Sequence, residues 1–414
     1  MAARLLILAD DFTGALDTGV RLALAGVATR VATRREAGPR MARCGDPVLV
    51  VDLESRHAGP EEAARRVRDC VRSAMSEGTG FFYKKTDSTL RGNVGAELSA
   101  LLFASGEDRL FFVPALPAAG RTTVGGVALV NGVPLHRTDF ADDPLDPVTE
   151  SAVSAIIGRQ SDIAVENVPR GSDLPRREGC GKRILVFDAE TDADLEDIGR
   201  RIGSAAVPRA TAGCSGFTSV LPKLLDLPRA PQPAVRLSVP MLVICGSLHE
   251  ASLAQVRHAE ENGFSSFVLD PGTFPAGGHQ RIAPHDLAQR IADALASTGA
   301  AIIKTAASVQ DRAACRGAGG RSGRTASRAV GGLTRAVMSL VRPSTLVVFG
   351  GDTAFGVADA LGIGNFQPVR EISQGVVISR AEQAGMDLHL VTKAGGFGAP
   401  DILTKIRDTL GREQ

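Results

Sequence analysis

The sequence predicts an α/β architecture of two layered domains with largely parallel sheets, and three observations carry that prediction. Short apolar runs recur along the whole chain, among them "LLILA", "PVLVVD", "RILVFDA" and "STLVVFGG". They lack polar alternation, which is the pattern of strands buried on both faces of a parallel sheet. Amphipathic segments such as "PEEAARRVRDCVRSAM" and "LAQRIADALAS" lie between many of them, so strand and helix alternate. The third observation is a break: "LPKLLDLPRAPQPAVRLSVP", Leu221 to Pro240, holds five prolines and interrupts the alternation. Such a stretch usually joins two compact units. The expected domains are 1–225 and 240–414, with a linker at 226–239.

The opening "MAARLLILADD" has a short apolar core that runs at once into two aspartates, with no small-residue cleavage pattern. It reads as a first β-strand rather than a secretory leader, and "GALDTGVRLALAG" reads as the helix behind it. "PVLVVD", "GFFYKK", "RLFFVPA" and "RILVFDA" supply the next strands. After the connector come "PMLVICGS", "SSFVLD", "AAIIKTA", "STLVVFGG" and "LHLVTKAGG". The glycine- and arginine-rich "CRGAGGRSGRTASRAVGG" reads as a surface loop before a helix. No internal repeat relates the two halves.

Composition excludes several functions. The 414 residues carry a formal net charge of +1, so no electrostatic footprint for nucleic acid or an anionic membrane is present at the whole-chain level. One tyrosine and no tryptophan leave little to stack on bases. No apolar run approaches the roughly 20 residues that span a bilayer. Six cysteines without a C-x-x-C pair and seven dispersed histidines suggest neither zinc nor disulfides, so a reducing cytoplasm is the expected location.

Ligands of parallel α/β sheets sit beyond the carboxyl ends of the strands, so the polar residues there are the ones to question. In the first half these are Asp10, Asp11 and Thr13, then Asp52, Glu54, Ser55 and Arg56. Lys84, Lys85, Thr86, Asp87, Ser88 and Arg91 follow, and then Arg121, Thr122 and Thr123. Singly, Asp11 or Thr13 caps a helix as well as it binds anything, and Lys84, Lys85 and Arg91 could form a solvated face. Repetition at four strand ends favours a site for a small, polar, anionic substrate. In the second half the strand ends are rich in glycine: Cys245, Gly246 and Ser247, then Gly350, Gly351, Asp352 and Thr353, then Lys393, Gly395, Gly396 and Gly398. Glycines at strand-to-helix turns let backbone N–H groups approach phosphate oxygens, and three such turns point to a nucleotide. The Walker pattern G-x-x-x-x-G-K-S/T is absent, as is a G-x-G-x-x-G after the first strand.

Taken together, "ADDFTGALDTG", "KKTDSTLRGNVGAE", "GRTTVGGVALVNGVPL", "GGDTA" and "KAGGFG" resemble the four-carbon acid sugar kinase family, in the same order from about residue 4 to residue 404. The resemblance implies a sugar-acid-binding domain followed by a nucleotide-binding domain, with the active site in the cleft between them. It implies ATP-dependent phosphorylation of the terminal hydroxyl of a four-carbon sugar acid, D-threonate or D-erythronate, with Mg²⁺ expected from ATP chemistry and no identifiable ligand set. The alternatives are a 3-oxo-tetronate or branched sugar-acid kinase, or a non-catalytic sensor of sugar acid and nucleotide. The substrate contacts it implies are Asp10, Arg56, Lys84, Lys85, Thr86 and Asp87, and the nucleotide contacts are Ser247, Gly350, Gly351, Asp352, Thr353 and Gly396; the strand-end reading adds Arg91 to the first set and Lys393 and Gly395 to the second. Asp10, Asp11 and Asp87 remain open as the base. Neither nucleic acid nor membrane is an expected partner, and the oligomeric state is not legible.

Overall fold

The structure, a computed structural model, describes residues 2–36, 42, 44–143, 146–175, 181–205, 207–231, 235, 237–247, 249–269, 285–305, 320–383 and 386–408. It divides into two compact units, Met1–Pro231 and Gln232–Gln414. Their boundary falls inside the proline-rich stretch, of which residues 232–234 and 236 lie outside the described residues.

The first unit is built on β1 (Leu5–Ala9), β2 (Thr29–Thr33), β3 (Val48–Asp52), β4 (Phe81–Lys85), β5 (Arg109–Val113), β9 (Ala164–Val168), β10 (Arg183–Phe187) and β11 (Ala210–Gly213). Their order is β2-β3-β1-β4-β11-β5-β10-β9, and every pairing is parallel. A small antiparallel sheet of β6 (Arg121–Val124), β7 (Val127–Val130) and β8 (Val133–Pro134) stands apart from it. The helices are α1 (Phe12–Leu24), α2 (Pro60–Glu77), α3 (Val94–Ala104), α4 (Val153–Gly158), α5 (Asp192–Ala205), α6 (Ser215–Thr218) and α7 (Leu221–Leu224). Local chemistry sets their ends: α2 begins with Pro60 in its first turn and stops at Gly78, whose φ of 102° an L side chain would resist. Its buried residues Ala63, Val67, Val71 and Ala74 form one stripe at helical spacing. All five residues of β1 are buried, as a strand covered on both faces requires.

This order positions the site. From β1 the chain runs out through β2 and β3 on one side, then crosses to β4 on the other. The β3/β1/β4 junction is therefore a topological switch point, where the connections part and leave a crevice at the strand ends. Ala9 stands in register with Asp52 and with Lys85. Asp10, Leu53 and Thr86 thus leave the sheet at the same level.

The second unit carries β12 (Met241–Cys245), β13 (Ser265–Val268), β14 (Ala300–Lys304), β15 (Thr345–Phe349), β16 (Asn365–Ser373), β17 (Val376–Gln383) and β18 (Met386–Lys393). Its helices are α8 (Glu250–Glu261), α9 (His285–Thr298), α10 (Gly320–Leu340), α11 (Gly351–Leu361) and α12 (Ile402–Asp408). The order is β13-β14-β12-β15-β18-β17-β16, parallel as far as β18 and antiparallel beyond it. The antiparallel ribbon of β16 and β17 is not among the expected strands. Its sequence mixes polar residues with apolar ones and includes Pro368, so no apolar run announces it. The glycine- and arginine-rich stretch also differs from expectation. Residues 315–319 lie outside the described residues, but from Gly320 onward the stretch is already helix α10. Among the described residues no helix is long and apolar enough to cross a membrane.

Candidate active site

At the switch point of the first unit, one guanidinium collects three carboxylates. Arg56 Nε lies 2.7 Å from Asp10 Oδ2, and its Nη2 lies 2.8 Å from Asp11 Oδ1 and 3.5 Å from Asp87 Oδ1. Burial works against charge at Asp10, but Arg56, Lys85 and Lys84 outweigh it and hold the carboxyl below its ordinary pKa. Asp87 is likewise opposed by burial and is driven well below the carboxylate range by Arg91 and Arg56. Its oxygens accept from Arg91 Nε at 2.6 Å and from Thr89 Oγ1 at 2.5 Å. Arg91 also pairs with Asp143 at 3.0 Å. Asp11 caps α1 as its residue type allows, accepting from Gly14 N at 3.0 Å and Thr13 Oγ1 at 2.8 Å. Asp10 is different: Oδ1 is buried and has no hydrogen-bond partner. Asp52 is buried too, and desolvation pushes its pKa well up despite a hydrogen bond from the Glu54 amide.

The two lysines of the "KK" pair have separate fates. Lys84 is fully buried, and its ammonium donates to Leu8 O at 3.2 Å and Lys85 O at 2.7 Å while pairing with Glu97 at 3.1 Å. Its three donors are spent inside the protein. Lys85 Nζ donates to Thr86 O at 2.8 Å and passes so near α1 that a Cβ on Gly14 would come within 2.9 Å of it. Glycine is what admits the ammonium there. Thr86 is buried, with Oγ1 unpartnered.

Helix α3 holds the Arg56 loop. Asn93 occupies its N-cap position but makes no side-chain cap. Instead Asn93 Nδ2 donates to the carbonyls of Ser55 at 2.8 Å and Ala58 at 2.9 Å, and Ser55 Oγ donates to Glu97 Oε1 at 2.5 Å. The missing cap comes from outside: Gln160 Oε1 accepts from Gly95 N at 3.1 Å and Ala96 N at 3.4 Å.

In the second unit the ends of β12, β15 and β18 converge. Gly350, at φ 101°, caps α11, and a Cβ there would lie 3.5 Å from Thr353 Oγ1 and 3.6 Å from Ser247 N. A Cβ on Gly395 would lie 3.4 Å from Ser247 Oγ, and one on Gly396 would lie 3.1 Å from His249 Nε2. Four of the expected positions, Ser247, Gly350, Thr353 and Gly395, are thus neighbours, and Gly351 opens α11 beside them. Asp352 is exposed in the first turn. Lys393 is buried under the glycine loop, donating to Ser252 Oγ at 2.9 Å, Gly395 O at 2.7 Å and Phe397 O at 3.1 Å. It stands 4.5 Å from the centre of the Phe349 ring. Burial lowers its pKa to about 8, with the Cys245 thiol opposing.

Comparison with known proteins now bears on this geometry. Residues 5–221 match the family of the sugar-binding N-terminal domain, and residues 242–403 match the nucleotide-binding C-terminal domain. The chain is 33% identical over 419 residues to a D-threonate kinase of Salmonella typhimurium, covering 97% of this chain and 96% of that protein. The chain belongs to the four-carbon acid sugar kinase family. Other members include a D-erythronate kinase of Heliobacterium modesticaldum, 35% identical over 64% of this chain and 62% of that protein. A 3-oxo-tetronate kinase of Methylobacterium radiotolerans is 30% identical over 99% of this chain and all of its own length, 100%. A crystal structure from Haemophilus influenzae shares the fold at a TM-score of 0.71 and 22% identity, covering 97% of this chain and 99% of that one.

For this member of the sugar-acid kinase family, the structure gathers Asp10, Asp11, Arg56, Lys85, Asp87 and Arg91 at one switch point. Lys84 and Lys393 sit at the expected strand ends but are spent inside the protein, Lys84 on Leu8 O, Lys85 O and Glu97, and Lys393 on Ser252 and the glycine loop. Sequence reading passed over Glu97, Asn93, Gln160, Asp143 and Phe140. Glu97 had a signal, being a glutamate at a buried position of a helix that begins "NVGAELSALL". Gln160 had none, since its partners lie 64 and 65 positions away.

Proposed function

We propose that this protein is an ATP-dependent kinase that phosphorylates the terminal hydroxyl of a four-carbon sugar acid, D-threonate or D-erythronate first. The observation that carries the proposal is the Asp10–Arg56 centre at the switch point of the unit that matches the sugar-binding family. Phosphoryl transfer needs positioning and charge neutralisation more than covalent help. Arg56 and Lys85 supply positive charge on the sugar-acid side. Asp11 and Asp87 have both oxygens engaged, whereas Asp10 keeps Oδ1 without a partner. Asp10 is therefore the carboxylate assigned to orient the substrate hydroxyl and accept its proton.

In the unit that matches the nucleotide-binding family, the Gly350–Gly351 turn and the Ser247 loop offer backbone N–H groups and a helix N-terminus to phosphates. Lys393 is assigned to hold the "KAGGFG" loop in place. Among the described residues no cluster of three metal-ligating side chains exists. Asp352 is an exposed carboxylate beside the turn, available to an Mg²⁺ ion carried by the nucleotide. Four described cysteines are free thiols, which suits the reducing cytoplasm we assign.

A coupled ADP-release assay over D-threonate, D-erythronate and 3-oxo-tetronate tests the reading. ADP release with at least one four-carbon acid is expected. Tight binding of acid and nucleotide without turnover would reassign the protein as a sensor. A preference for 3-oxo-tetronate would place it with the Methylobacterium radiotolerans relative.

A further inference from the structure

Three cations of the strand-end cluster are matched with carboxylates, while Lys85 donates to Thr86 O and pairs with none among the described residues. Arg56 has Asp10, Asp11 and Asp87; Arg91 has Asp87 and Asp143; Lys84 has Glu97. Arg121 has none among the described residues. Its Nη1 donates to Ala119 O at 3.0 Å, and its Nε is buried without a partner. The guanidinium lies 5.3 Å from the centre of the Phe140 ring, against which Arg91 also packs at 5.5 Å. Two like charges thus share one aromatic ring, and only one of them is neutralised. Burial lowers the Arg121 pKa, with Asp87 opposing and Arg91 adding to the fall. A half-buried guanidinium beside another is an unfavourable arrangement unless an anion joins it.

The free part of Arg121 is also the useful part. With Nη1 turned to a backbone carbonyl, the Nε–Nη2 edge is left, and that edge presents two parallel N–H groups to a carboxylate. Local structure holds it there: Leu116 and Arg121 exchange backbone hydrogen bonds of 2.8 and 3.1 Å, which fix the start of β6. Asp10 follows β1, and Arg121 opens β6 on the segment that leaves β5, with β4 and β11 between β1 and β5 in the sheet, so the two residues come from different strand ends.

We propose that Arg121 binds the carboxylate of the sugar acid and thereby selects acids over neutral polyols. The inference rests on the sugar-acid kinase reading and adds the residue that recognises the acid. Its physical content is that the substrate supplies the counter-charge that the protein withholds.

Isothermal calorimetry with D-threonate, D-erythronate and the matching neutral tetritols tests this on the full chain, alongside ADP-release kinetics. Arg121→Met should weaken acid binding by about 10- to 100-fold, the loss of a bidentate charge-assisted pair. It should leave tetritol binding and the KM for ATP within about twofold. Arg121→Lys, which keeps the charge and loses the fork, should fall between. Acid affinity within about twofold of wild type in Arg121→Met, or equal weakening for acid and tetritol, overturns the proposal. If circular dichroism shows Arg121→Met unfolded, the acid-to-tetritol ratio of Arg121→Lys decides by the same criterion. A wild-type protein that binds acids through Arg121 yet releases no ADP would sink the kinase reading alone.

Discussion

At Lys84 a charge is buried in full, and its three donors meet Leu8 O, Lys85 O and Glu97. Such a pair is weakly stabilising as a pair, but breaking one half leaves an isolated buried charge. Lys84→Met is therefore expected to destabilise the protein by about 3–5 kcal/mol. Adding Glu97→Gln, which removes the stranded carboxylate and keeps a partner for Ser55, should restore at least about 1 kcal/mol of that loss. Urea unfolding of the two single variants and the double variant checks both numbers. Simple additivity would show that the two side chains do not act as a pair. The same reasoning separates Lys84 from Lys85, whose ammonium has one backbone partner and stands beside Gly14. Adjacent lysines in sequence thus serve different ends. One ties three elements together, and the other faces the strand-end crevice.

Helix α3 shows how one element can serve a site that lies on others. Its N-cap residue, Asn93, gives up capping to hold the carbonyls of the Arg56 loop, and Gln160 at the end of α4 caps in its place. Gln160 Nε2 also reaches Asn93 Oδ1 at 3.3 Å. Gln160→Ala should cost about 0.5–2 kcal/mol of stability, the usual worth of an N-cap. It should also raise the KM for the sugar acid more than that for ATP, because Asn93 would be drawn back to its own helix and release Ser55 and Ala58. Denaturant melts and two-substrate kinetics read the two effects separately. A stability loss with both KM values unchanged would make Gln160 a cap and nothing more. Among the strands, β16 and β17 extend the second unit's parallel sheet with an antiparallel ribbon turned at Gly375, where φ is 71°. Polar residues on those strands hide them from a search for apolar runs.

Each of the two units has its own core, which bears on what each can do alone. Leu6, Leu8, Phe82, Leu98 and Phe112 belong to the cluster of the first unit. Met241, Val243, Val347, Phe349 and Val391 belong to that of the second. A unit with its own buried cluster, divided from the other within a proline-rich stretch, is expected to fold independently. Gln232–Gln414 produced by itself should therefore fold and bind ADP, as calorimetry would register. A folded unit that fails to bind ADP would overturn the assignment of the nucleotide to the Gly350–Gly351 turn.

Strand positions, the change of chemistry between the halves and the family itself were legible in the chain because each depends on neighbours in sequence. Apolar runs report burial on both sides of a strand. Charges or glycines just after such runs report strand ends, and "KKTDSTLRGNVGAE" is long enough to name a family. What those charges touch depends on strand order and register, which local sequence does not encode. Lys84 and Lys393 look alike in the sequence as lysines closing apolar strands, and tertiary structure buried both, spending Lys84 on backbone carbonyls and the Glu97 carboxylate and Lys393 on backbone carbonyls and the Ser252 hydroxyl. Arg121 looked like one more polar residue after a strand. Its lack of a carboxylate is a property of the space around Phe140, assembled from segments that sequence alone does not place together.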